Sequence, residues 1–88
     1  MMSTIYTVVD NVLQDLNIHN FIHVEISSEP DFYILEFQHT QIPDTYLKVE
    51  VPKHPEGNSF ACVLKRKNVG RRTMIRIMDS LVHHLIQE

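Results

Sequence analysis

Eighty-eight residues, 43% of them apolar and 22% charged, have the composition of one small globular domain, not of a disordered chain. The formal charge of −3 and pI near 6.0 lie far from the basic values of dedicated nucleic-acid-binding domains, and a lone cysteine excludes an internal disulfide or a CxxC motif. The opening MMSTIYTVVD lacks a basic region followed by an apolar one, and no apolar run approaches the roughly eighteen residues of a membrane span. The expectation is therefore a single domain over 1–88, soluble and cytoplasmic, with the nucleus as an alternative compartment.

The spacing predicts a first helix over 3–17, capped by Ser3 or Thr4. Ile5, Val9, Val12 and Leu16 recur at intervals of four, three and four, Val8 and Leu13 widen the apolar face, and Asp10, Asn11, Gln14 and Asp15 take the other. Asn and His accumulate at Asn17 to Asn20, where the helix should stop.

Strand-like runs with turn signals between them follow. Residues 21–27 set Ile22, Val24 and Ile26 against Phe21, His23, Glu25 and Ser27. Phe32 to Gln38 set Tyr33, Leu35 and Phe37 against Phe32, Ile34 and Glu36. Tyr46 to Val51 point Leu47, Val49 and Val51 inward and Tyr46, Lys48 and Glu50 outward. KHPEGN is a strong turn signal, and Ser59 to Lys65 make the last strand, with Cys62 expected to be buried among Phe60, Ala61, Val63 and Leu64.

A closing helix is predicted over 71–87, with a seam of Met74, Met78, Leu81 and Leu85 flanked by Ile75, Val82 and Ile86 on one side and Ile77 on the other. This stripe is wide for a helix lying on a sheet. The excess packs on the first helix, the favoured reading, or meets a second subunit in a homodimer. Arg72, Arg76, Asp79, His83 and Gln87 form the polar strip, with Arg76 and Asp79 spaced to interact.

Short turns between neighbouring strands favour an antiparallel meander. The fold class is α+β: a two-layer sandwich of a four-stranded antiparallel meander with the N- and C-terminal helices on one face, in the order α-β-β-β-β-α.

The charge is unevenly placed. Residues 1–64 hold two basic and nine acidic side chains and residues 65–88 hold six basic and two acidic ones, a balance of −7 against +4. The six are Lys65, Arg66, Lys67, Arg71, Arg72 and Arg76, with Gly70 between them to free the backbone for the turn into the helix. A helix N-terminus carries partial positive charge and ordinarily attracts Asp and Glu, so cations gathered there point to an anion arriving from outside.

Such a cluster suits an acidic protein surface, the chain's own acidic half in a homodimer, the phosphates of a nucleic acid, or a nuclear-import receptor. It also suits a charged loop that merely keeps a sheet edge from pairing. No aromatic residue interrupts Lys65 to Arg76, so base stacking by this segment is not expected.

A basic pair opening the last helix of an α, antiparallel β, α unit is similar to the double-stranded-RNA-binding domain, in which that helix end contacts phosphates across a groove. Arg71, Arg72 and Arg76 hold the matching positions. The chain departs from that family in reading as four strands instead of three, and in carrying Met, Ile and Leu where the family's last helix has small residues. The similarity is one of charge placement alone.

A second candidate interface is the outer sheet face, where Phe21, Phe32, Ile34 and Tyr46 stand among His23, Glu25, Glu36, Lys48 and Glu50. The histidines suggest no specific metal site: His83 and His84, for example, point about 100° apart on one helix. No constellation names a reaction. The expectation is a non-catalytic interaction module, an adaptor, regulator or inhibitor, without cofactor or metal, that docks an acidic partner; the alternative is a nucleic-acid-binding protein using the same cations.

Overall fold

The computed structural model describes residues 5–16, 23–53 and 61–86. Their order is α1 (Ile5–Leu16), β1 (His23–Ser28), β2 (Phe32–Gln38), β3 (Tyr46–Pro52), β4 (Cys62–Lys67) and α2 (Arg71–Ile86). The strands form one antiparallel sheet in sequential order, with both helices over one face, the α-β-β-β-β-α arrangement the patterning predicts. The expected caps Ser3 and Thr4, the helix stop at Asn17 to Asn20, the aromatic Phe21 and the turn at 54–58 lie outside the described residues.

The period-two alternation decides which strand face is buried. Leu35 and Phe37 of β2 and Leu47, Val49 and Val51 of β3 are buried under the helices, joined by Val8, Val9 and Val12 of α1 and Ile77 and Leu81 of α2. Each such side chain contributes about 1.5–3 kcal/mol when fully removed from water, an upper bound because the unfolded chain already buries some of it. Ile26, Tyr33, Met74, Met78 and Leu85 pack around this cluster. At the helix–helix contact His84 Nε2 also hydrogen-bonds the Asp15 carboxylate.

Several expectations are corrected. The seam of α2 centres on Ile77 and Leu81, with Met74, Met78 and Leu85 beside them, and Ile75 is left 43% exposed. Packing against α1 and the sheet rotates the helix so that Ile77 is central and not a flank. Arg76 and Asp79 form no ion pair despite their spacing, and both are exposed.

The last strand runs further than 59–65, ending at Lys67; the expected start at Ser59 and Phe60 lies outside the described residues, and the strand described is Cys62–Lys67. Every residue in it is exposed, Cys62 included, because the helix layer covers the sheet only as far as β3. A bulge explains the irregular start. Lys48 faces Lys65 and Val49 faces Val63, so Leu64 is the extra residue and remains 47% exposed.

Candidate functional site

The site is built at the passage from β4 to α2. Among the described residues, Asn68, with φ 56°, is one of two non-glycine residues in left-handed conformation; the other is Asp44, φ 57°, in the β2–β3 turn. Asparagine tolerates this region better than most residues because its short side chain finds local hydrogen bonds. Asn68 Nδ2 donates to the Asp44 carbonyl at 3.3 Å, fastening the passage to the neighbouring turn. Val69 then drops into the core, leaving little freedom in where α2 begins.

The turning residue is thus Asn68 and not Gly70, as the sequence suggested. Gly70 lies outside the left-handed region, and a Cβ built on it would meet nothing within 4 Å. Its role is that of the helix cap: Met74 N–H donates to the Gly70 carbonyl at 3.0 Å, the first bond of α2. Glycine brings no side-chain oxygen, and among the described residues no side chain accepts from the N–H groups of Arg71, Arg72 or Thr73. The helix start therefore presents open donors.

Around it stand the cations. Arg71, Arg72 and Arg76 on α2 and Lys65, Arg66 and Lys67 on β4 are all exposed, and among the described residues none ion-pairs with a carboxylate. Among the described residues the carboxylate contacts lie elsewhere, Lys48 pairing with Glu36 at 3.7 Å and His84 hydrogen-bonding Asp15. On β4 the three alternate in face: Lys65 and Lys67 share the outer face with their partners Lys48 and Tyr46, and Arg66 lies on the helix side opposite Leu47.

Tyr46 joins the two predicted surfaces. Its ring sits under the Lys65 ammonium, 5.7 Å from Nζ to centroid, and the Tyr46 hydroxyl's hydrogen bond raises the pKa of that lysine above its ordinary value. Phe32 and Ile34, the other described members of the aromatic face, are half-buried and stand at the far end of β2. Phe32 pairs with Pro52 and Gln38 with Tyr46, so about 20 Å of strand separates Phe32 from the tyrosine's end. They do not share one interface with the cations at close range.

The register also orders the outer face in a way the individual strands do not reveal. Glu25 faces Glu36, Glu36 faces Lys48 and Lys48 faces Lys65, so a row across all four strands runs from acid at β1 to base at β4. The adjacent row carries Glu50 opposite Cys62, whose Sγ approaches Glu50 Oε2 at 3.7 Å. Partial burial and the neighbouring carboxylate push the Cys62 thiol up in pKa, the reverse of an activated nucleophile.

Among the described residues no group of three or more His, Cys, Asp or Glu side chains is placed to hold a metal ion, and no helix is long and apolar enough to cross a membrane. Comparison of the chain with known protein families, with curated proteins and with solved structures finds no match, so what the site does rests on its own chemistry.

Proposed function

We propose that this protein is a small non-catalytic interaction module that docks an acidic partner protein through the β4–α2 passage, with Lys65, Arg66, Lys67, Arg71, Arg72, Arg76 and the Gly70 backbone as the contact surface. One observation carries the reading: among the described residues six cations stand exposed and without carboxylate partners, next to helix N–H donors that no side chain caps. Placing like charges together against the local field of a helix start is unfavourable by about 0.3–1 kcal/mol per charge, and an incoming carboxylate removes that cost.

A protein suits the surface better than a nucleic acid. The β4 cations alternate between two faces, and Glu50 stands on the outer face beside Lys48 and Lys65, so a polyanion laid across this face would meet carboxylate as well as ammonium. A protein partner can place its acids individually. The apolar stripe of α2 is largely taken up by the chain's own core, which fits a module acting as a single copy. An exposed free thiol fits a reducing compartment such as the cytosol or nucleus.

Affinity capture from the native cell, with and without nuclease, tests the reading. The expected result is an acidic protein that survives nuclease and is lost from the double charge reversal Arg71→Glu, Arg72→Glu. Loss on nuclease treatment alone, with duplex binding whose salt slope drops by about one per arginine removed, would establish the nucleic-acid alternative instead.

A further inference from the structure

The edge of β4 is where the molecule is least finished. β4 pairs with β3 on one side only, and among the described residues no backbone group of Lys65, Arg66 or Lys67 bonds to anything on the other. Every residue of the strand is exposed, and Val63 and Leu64 are 36% and 47% so. Open strand edges recruit other strands unless charge or a bulge prevents it. Here the bulge is confined to Leu64, and the regular stretch from Lys65 onward carries a cation at every position.

We propose that β4 receives an extended acidic segment of another protein as a fifth strand of the sheet. Its backbone would pair with the free edge at Lys65–Lys67, its carboxylates would lie on the outer face opposite Lys65 and Lys67, and its apolar side chains would lie on the helix side with Val63 and the stem of Arg66. This rests on the reading of the cations as a docking surface and adds the form the partner takes.

The charge of the edge selects the occupant. Two copies paired β4 to β4 would bring six cations together along one seam. A copy presenting β1 instead would offer one strand carboxylate, Glu25, against three cations, and would leave its own β4 open to continue as a filament. An acidic strand from a different protein matches the charge of the edge and brings no second β4 from which a filament would continue. The lysines that keep the protein from adding to itself thus become the contacts that admit the intended strand.

A fluorescent peptide of alternating Glu and Val, about eight residues long, tests this by anisotropy at low salt. A second version N-methylated at alternate residues keeps every charge but cannot pair along one edge. The plain peptide is expected to bind, with a loss of about tenfold or more on N-methylation and on Lys65→Glu plus Lys67→Glu. Amide exchange at Lys65–Lys67 should slow only with the plain peptide. Equal binding of both peptides would overturn strand addition while leaving the acidic docking surface in place. If neither binds at low salt, both readings fall, and concentration-dependent assembly by sedimentation would show that another copy occupies the edge.

Discussion

Asn68 and Asp44, twenty-four residues apart, are both held in left-handed conformation and are joined by the Asn68 side-chain amide donating to the Asp44 carbonyl at 3.3 Å. The direction in which α2 leaves the sheet, and with it the position of Arg71 and Arg72, depends on this pair. Asn68→Ala removes the bond and places a less tolerant residue at positive φ, for a loss of about 1–3 kcal/mol. Asn68→Gly removes only the bond and should cost less. Urea unfolding of both variants checks the order; an alanine variant as stable as the glycine one would show that the conformation carries no strain.

Ile77 and Ile75 lie two positions apart on α2 and have opposite environments, 1% and 43% exposed. Ile77→Ala opens a cavity between helix and sheet and should cost about 2–5 kcal/mol, a large share of what a small domain has. Ile75→Ala should stay within about 0.5 kcal/mol. Similar losses at both would mean that the helix sits rotated from the orientation described, or that Ile75 is covered in an assembly.

Strand faces were legible in the sequence because alternation fixes them: Leu35, Phe37, Leu47, Val49 and Val51 are all buried as the pattern demands. Position within the sheet was not legible. Cys62 has an apolar flank that resembles a core strand, yet it lies on an edge beyond the helices, and no local pattern distinguishes an edge from a centre. Likewise the cation cluster was plain from composition, but its division between a free strand edge and an uncapped helix start required the topology. The asparagine before Val69 was the available signal for the turn, and the glycine drew attention from it.

Cys62 gives a pH-dependent readout of the outer face. Its partial burial and the Glu50 carboxylate hold the thiol pKa above its ordinary value, so the protonated form persists to higher pH than in a free cysteine. Thiolate is the reactive species, so alkylation near neutral pH should be slower than for a model thiol, with its rate midpoint displaced upward. Glu50→Gln removes the charge and should move the midpoint down and speed alkylation at neutral pH. A midpoint unchanged by Glu50→Gln would show that the 3.7 Å approach is not maintained in solution.

Gly70→Asp separates stability from binding at the cap of α2. An aspartate there can accept from the open first-turn N–H groups and oppose the charge of Arg71 and Arg72, and the site has room, since a Cβ meets nothing within 4 Å. Stability should rise by about 0.5–1.5 kcal/mol through capping and the favourable charge at a helix start. The same carboxylate occupies the donors and guanidinium groups that an acidic partner would use, so capture of that partner should weaken. Gly70→Ser supplies a cap without the charge, and should gain a few tenths of a kcal/mol while retaining most of the binding. If the aspartate variant is both more stable and fully competent to bind, the cations serve something other than an incoming anion.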